Sequence, residues 1–238
     1  MDHENRVNFI KNVLKHMPAD WLRLTTYRLD IYNENSAKTE FLDKFEKLFS
    51  DNSFDKKALN KELSELPTAF DYIRLGHPLS CIFEWVMAKS KKVNVENVIC
   101  FSSKTMPILS ILRKNLFENI NTQIIYKDEL PKCFDVETIK RIYGYNFELM
   151  KINSNEKFEK FNGCTILLNN ADECLPQELG FDADFIISMY ANFGCVIFVY
   201  SQNSESYISE IQHVRRRESI AMTPRDCFTT LNNMIEIS

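Results

Sequence analysis

Glycine is scarce in this sequence, and its distribution excludes the common nucleotide-binding motifs. The 238 residues include five glycines, and the nearest two, Gly180 and Gly194, are 14 positions apart. Loops that cradle phosphate groups need several glycines close together, so that backbone N–H groups can approach the anion. The sequence therefore contains neither a Rossmann GxGxxG loop nor a Walker A loop.

The sequence also lacks the spacing patterns of a metal site and of a disulfide framework. Its four histidines show no ligand spacing with one another or with cysteine, so we expect no metal. Seven cysteines form an odd set without a CxxC pair, which is typical of reduced, buried thiols in a cytoplasmic protein. They are Cys81, Cys100, Cys133, Cys164, Cys174, Cys195 and Cys227.

Neither the charge nor the hydropathy favours a nucleic acid or a membrane as partner. The chain has 29 basic and 33 acidic residues, for a net charge of −4, so it has no global basic field to attract a polyanion. It has no apolar run of membrane-spanning length, and the segment Met1–Arg6 is too polar to begin a signal peptide. We expect a cytoplasmic protein without nucleic acid or membrane partners.

The periodicity of apolar residues changes near Pro67 and predicts an α/β fold. Residues 1–66 have the spacing of short amphipathic helices and form a predicted helical arm. In residues 67–238, β-rich runs alternate with helical stretches, which predicts a mainly parallel sheet flanked by helices. The predicted strands are Asn97–Phe101, Thr122–Tyr126, Asn146–Met150, Cys164–Asn169, Asp184–Ser188 and Cys195–Tyr200. The predicted helices of this part are Leu79–Lys89, Thr105–Leu116, Asp135–Tyr143, Ser204–Arg217 and a last one from Thr223-Pro224 onward.

Several short motifs, in order, resemble a family of enzymes that use pyridoxal phosphate. The segment Tyr72–Pro78 has the form Y-x-R-x-G-x-P and is followed by Phe83-Glu84. It resembles the corresponding segment of the pyridoxal-phosphate-dependent cysteine and methionine metabolism family, which includes the cystathionine synthases and lyases. The resemblance implies the large-domain fold of these transferases. It also implies that Tyr72 and Arg74 reach a neighbouring subunit and hold the cofactor's phosphate.

The segment Phe101–Met106 is similar to the family's F-S-S-G-M loop, which binds the same phosphate. The resemblance makes Ser102, Ser103, Thr105 and Met106 candidates for a vestigial phosphate site. Lys104-Thr105 stands in place of the single glycine, so the close approach of backbone to phosphate is lost. A structural alternative is that these hydroxyls cap the helix that follows.

The positions that carry the chemistry in this family are substituted here. The segment Leu179–Ile187 is similar to the strand before the family's H-S-A-T-K, in which the lysine forms the Schiff base. Asn192 stands at that lysine's position, and Met189 and Ala191 replace the serine and threonine before it. Asn169 stands where the family's aspartate keeps the pyridine nitrogen protonated, and it brings no negative charge. On a looser alignment, Pro131 replaces the stacking aromatic residue.

The end of the sequence matches the opening of the family's small domain, which supplies the arginine for the substrate carboxylate. The matching residues are Thr223–Phe228, and we expect the small domain itself to be absent. Arg215-Arg216-Arg217 lies just upstream, where positive charge complements a helix end; docking of a partner or a nucleic-acid contact is the alternative.

Three hypotheses follow. The first is a pseudoenzyme of the transsulfuration family, without cofactor, that self-associates or docks on an active relative. The second is an active pyridoxal-phosphate enzyme with shifted catalytic residues, or with a different ligand in the old cofactor pocket. The third is an unrelated α/β adaptor.

Overall fold

The computed structural model describes residues 3–23, 33–50, 58–152, 161–171 and 183–237. The chain divides into two compact units. The helical unit comprises residues 1–87 and 221–238, and the sheet unit comprises residues 88–220. A division after residue 66 remains a sequence prediction.

The described helices confirm the predicted alternation. They are α1 His3–His16, α2 Ala37–Ser50, α3 Leu59–Ser64, α4 Pro78–Lys91, α5 Met106–Glu118, α6 Val136–Tyr143, α7 Ser204–Glu218 and α8 Pro224–Ile237, with short 3₁₀ helices at Ala19–Leu22 and Val95–Asn97. Helix α8 begins at the predicted signal, because Thr223 Oγ1 accepts the backbone N–H of Asp226 at 3.2 Å and donates to its carboxylate at 2.7 Å.

Aromatic side chains form the centre of the helical unit. Phe9 on α1 lies 5.2 Å from Phe45 and 5.0 Å from Phe49, both on α2, between ring centroids. Trp85 on α4 meets the same two α2 rings edge-on, at 5.5 and 5.8 Å. All four residues are buried. Their helical spacing in the sequence therefore reflects a packed core, where edge-to-face aromatic pairs add to the area that is buried.

A buried histidine joins the start of α4 to the segment before α8. His77 Nδ1 accepts the backbone N–H of Ser80 at 3.1 Å, and Nε2 lies 2.7 Å from the carbonyl oxygen of Met222. One nitrogen therefore acts as acceptor and the other as donor, which is the pattern of a neutral imidazole. His77 belongs to the scaffold of the helical unit.

The sheet unit contains all six predicted strands in one sheet, with ends shifted by at most one residue. The strands are β1 Val98–Phe101, β2 Thr122–Tyr126, β3 Phe147–Lys151, β4 Cys164–Asn170, β5 Phe185–Met189 and β6 Cys195–Val199. Their order is β1-β6-β5-β4-β2-β3. The pairs β2–β3, β2–β4 and β4–β5 are parallel, whereas β6 is antiparallel to both of its neighbours. The predicted α/β fold with a mainly parallel sheet is confirmed.

Five strands of this sheet point the same way, and only β6 runs against them. β1 is antiparallel to β6, and β6 is antiparallel to β5, so β1 runs parallel to β5. The carboxyl ends of β1, β5, β4, β2 and β3 therefore share one edge of the sheet. In sheets of this kind, ligands bind at that edge, because the loops that follow the strands line a crevice there.

Most of the cysteines behave as predicted. Cys81, Cys100, Cys164, Cys195 and Cys227 are buried free thiols, but Cys133 is exposed. The burial prediction is wrong for Cys133, because it lies in the loop between β2 and α6 rather than in an apolar run. Cys174 lies outside the described residues. Along the described part of the chain, no helix is long and apolar enough to cross a bilayer.

Candidate functional site

A large cleft of the sheet unit lies at the shared carboxyl edge of the parallel strands. Its volume is about 940 Å³, within the range of small-molecule sites. The lining comes from the ends of β2, β3, β4 and β5, from the β1–α5 turn, and from the loop after β2. It consists of Ser102, Ser103, Lys104, Thr105, Tyr126, Lys127, Asp128, Glu129, Leu130, Pro131, Lys132, Cys133, Lys151, Leu168, Asn169, Asn170, Met189 and Ala191.

One hydroxyl of the β1–α5 turn caps helix α5. Ser103 Oγ accepts the backbone N–H groups of Thr105 at 3.3 Å and Met106 at 3.2 Å. Thr105 occupies the cap position, but its side chain makes no capping hydrogen bond. The capping alternative is therefore confirmed for Ser103 and wrong for Thr105, because the serine precedes the helix by enough residues for its oxygen to face the first amides.

Replacing Ser103 with alanine is expected to destabilise the fold by about 1 kcal/mol, the usual cost of a lost helix cap. Urea unfolding followed by circular dichroism measures this. The matched control is Thr105→Val, which removes a hydroxyl that does not cap the helix. If Thr105→Val costs as much as Ser103→Ala, then the assignment of the cap to Ser103 is wrong.

The β1–α5 turn is tied to the turn that joins β5 to β6. Lys104 Nζ donates to the carbonyl oxygen of Ala191 at 3.0 Å, and Cys195 Sγ donates to the carbonyl oxygen of Ser103 at 3.3 Å. Burial raises the pKa of the Cys195 thiol, so the group stays protonated and remains a donor. These contacts fix one wall of the cleft.

A glycine permits this close approach. A Cβ atom on Gly194 would lie 1.7 Å from the carbonyl oxygen of Phe101, at the end of β1. The requirement at Gly194 is therefore space rather than backbone angle, since its φ is not positive. The sequence contains Gly194 beside a predicted strand, but nothing local in it indicates the contact with Phe101.

The structure brings most of the resemblance-based positions together at the cleft and leaves others outside it. Six of them line it: Ser102, Ser103, Thr105, Asn169, Met189 and Ala191, with Pro131 opposite in the loop after β2. Asn192 is exposed, and neither it nor Met106 is part of the lining. Tyr72 and Arg74 belong to the helical unit. The part of the predicted strand motif at 179–182 lies outside the described residues.

These residues do not fit a pyridoxal phosphate held covalently at position 192. Asn192 has an amide where a Schiff base needs an amine, and Asn169 has an amide where ring protonation needs a carboxylate.

Several charged side chains of the cleft are not among the residues predicted from the sequence. Lys127, Lys132 and Lys151 line it, together with Asp128 and Glu129. A usable signal was present, because Lys127, Asp128 and Glu129 directly follow predicted strand β2 and Lys151 ends β3. Side chains at the carboxyl ends of neighbouring parallel strands meet at one edge of the sheet. The positions were not singled out because lysine is common on any surface.

The fold and the cleft together define an α/β protein with a ligand-sized crevice at the carboxyl edge of its sheet. It is similar in fold to cystathionine γ-lyase from Lactobacillus plantarum, with 11% identity over 71% of this chain and 54% of that one and a TM-score of 0.47. It is also similar to cystathionine γ-synthase from Xanthomonas oryzae pv. oryzae, with 12% identity, coverage of 87% and 64%, and a TM-score of 0.48. It is similar as well to yeast cystathionine γ-lyase, with 12% identity over 73% of this chain and 54% of that one and a TM-score of 0.47.

These solved structures are enzymes of the kind that the sequence motifs resemble. The chain spans between about half and two thirds of their length, with 54% and 64% as the limits among these three. No protein-family model and no curated protein sequence matches the chain. The similarity is one of fold alone, and it does not extend to the residues that would determine function.

Proposed function

We propose that this chain is a pseudoenzyme related to the transsulfuration enzymes, which acts through protein–protein contacts rather than through catalysis. The observation that carries the proposal is the residue at position 192. Asn192 is exposed and its amide forms no imine, so the group on which the family's chemistry depends is missing at that position. Asn169, which does line the cleft, brings no charge to a ring nitrogen.

A contact role is supported by apolar side chains on the surface of the sheet unit. Phe117 is 74% exposed and Leu116 is 40% exposed at the end of α5, and Ile142 is 61% and Tyr143 52% exposed at the end of α6. We call these four residues the apolar patch. Single exposed apolar residues are ordinary, but a group of them, with a phenylalanine three quarters exposed, is typical of an interaction surface.

Both halves of the apolar patch, on α5 and α6, lie at the same end of the sheet unit. Tyr143 stacks on Tyr145 with 5.3 Å between ring centroids. Both helices begin at the carboxyl edge of the sheet and run back. Their ends therefore lie at the opposite end of the unit from the cleft.

We expect the protein to self-associate, and the double substitution Phe117→Ser with Ile142→Ser to shift it to the monomer. Removal of two exposed apolar side chains leaves the core intact while it deletes the contact area. Sedimentation velocity over a range of protein concentrations measures the shift, with circular dichroism to confirm folding.

Tyr72→Ser is the matched comparison, because Tyr72 is also an exposed aromatic residue, at 45%, and marks the surface through which the resembled family assembles. Disruption by Tyr72→Ser alone would place the contact in the helical unit and refute the role of the apolar patch. A wild-type monomer at all concentrations would refute self-association.

The second candidate is an active pyridoxal-phosphate enzyme with a shifted lysine, and one observation favours it. Lys104 lines the cleft, as does Asn169, and its Nζ reaches the carbonyl oxygen of Ala191 next to position 192. A lysine amine is thus present beside the position that lost one. This candidate requires Lys104 to exchange its hydrogen bond with Ala191 for a bond to the cofactor.

A further inference from the structure

The described lining of the cleft has a net positive charge, unlike the chain as a whole. It includes four lysines, Lys104, Lys127, Lys132 and Lys151, and two carboxylates, Asp128 and Glu129. The described lining residues therefore have two net positive charges, whereas the whole chain has a net charge of −4. A concave surface concentrates the field of such charges, which favours anions at this place over the rest of the surface.

The lysines lie at two separate ends of the cleft. Lys127 follows Tyr126 at the end of β2, and Tyr126 pairs with Lys151 at the end of β3; the Lys151 ammonium lies 6.0 Å from the Tyr126 ring centroid. Lys132 lies in the same loop as Lys127, and so do Asp128 and Glu129, so the described residues of this end have one net positive charge. Lys104 instead follows β1, and β1 is four strand positions from β2. Neighbouring strands lie about 4.8 Å apart, so the backbones of β1 and β2 are separated by roughly 19 Å.

The described residues between the two ends are uncharged. Leu168, Asn169 and Met189 at the ends of β4 and β5 line the middle of the cleft, with Leu130 and Pro131 in the loop that follows β2. These residues offer apolar contact and amide hydrogen bonds.

We propose that this cleft binds an extended small molecule that has an anionic group at each end and a less polar middle. One anionic group meets Lys104 and the β1–α5 turn, where the positive end of the α5 dipole adds to the ammonium. The other meets Lys132 and Lys151. The proposal differs from a vestigial phosphate site, because the second cationic end involves none of the residues to which the family resemblance assigns a role. It also holds whether or not the protein self-associates.

The test compares a double-ended anion with a single-ended one. Hexane-1,6-diol bisphosphate and hexyl phosphate are titrated into the protein by calorimetry at constant ionic strength. We expect the bisphosphate to bind at least about tenfold more tightly, since the second group binds as part of an already tethered molecule. The double variant Lys132→Gln with Lys151→Gln is expected to bind both probes about equally, because it keeps the Lys104 end.

The control variant is Lys11→Gln with Lys91→Gln, which removes the same charge from two exposed lysines that are not part of the described lining. It is expected to keep the tenfold preference. Equal affinity of the wild type for both probes, or an equal loss of preference in the control, would overturn the proposal, since net charge alone would then explain the binding. Circular dichroism of each variant confirms that it is folded.

Discussion

Replacing Gly194 with alanine is expected to destabilise the protein by at least about 3 kcal/mol, at or above the upper end of ordinary overpacking costs. The new Cβ would lie 1.7 Å from the carbonyl oxygen of Phe101 and 2.6 Å from its carbonyl carbon. Both are backbone atoms of β1, and β1 is paired with β6 directly at this point, Phe101 with Cys195. The strands must move apart to admit the methyl group. Urea unfolding measures the loss.

Gly144→Ala is the matched control for this experiment. Gly144 ends α6 with a φ of +67°, and a Cβ there meets no atom within 4 Å. Its expected cost is the backbone strain alone, about 1–2 kcal/mol. If the two substitutions cost the same, then the contact between Gly194 and Phe101 does not limit the approach of these strands.

Replacing Lys38 with methionine is expected to cost about 3–5 kcal/mol, because it removes an ammonium that pairs with a buried carboxylate. Lys38 Nζ lies 2.8 Å from Glu84 Oε2 within the helical unit, and the two side chains are 9% and 3% exposed. An intact buried ion pair adds little net stability, but removal of one partner is costly because the other charge stays buried. Replacing both partners by apolar residues removes that cost.

The double variant Lys38→Met with Glu84→Leu is therefore expected to regain most of the stability that Lys38→Met loses. A double-mutant cycle from urea unfolding of the four proteins gives the coupling energy. Additive costs would show that the two charges are stabilised independently of each other. The same series at high salt is expected to change little, since buried charges are weakly screened.

The sequence was sufficient to predict the strands, because each one is a short apolar run bounded by polar residues. The reversed direction of β6 was also readable, because only five residues separate β5 from β6 and a parallel crossover needs a dozen or more. Glu84 illustrates a limit of the sequence. It follows Phe83 in the motif segment, but its partner Lys38 lies 46 positions earlier, and only packing brings the two together.

The candidate site was predictable to the extent that it depends on strand ends. The residues after β1, β4 and β5 do line one cleft, as parallel topology requires. The capping role of Ser103 rather than Thr105 depends on the geometry of a single turn. The tie between Lys104 and Ala191 depends on contact between two loops that are 87 positions apart. The role of Ser102, Ser103 and Thr105 as a vestigial phosphate site remains a prediction.

The absorbance of the protein with pyridoxal phosphate tests the central claim most directly, because a cofactor bound to a lysine amine absorbs near ~420 nm. The wild type and the Lys104→Gln variant are incubated with the cofactor, gel-filtered and scanned, and borohydride-treated samples are mapped by mass spectrometry. We predict no stoichiometric band in either protein and no dominant modified lysine. A band of one cofactor per chain in the wild type, lost in Lys104→Gln and mapped to Lys104, would contradict the pseudoenzyme account and establish the shifted-lysine enzyme.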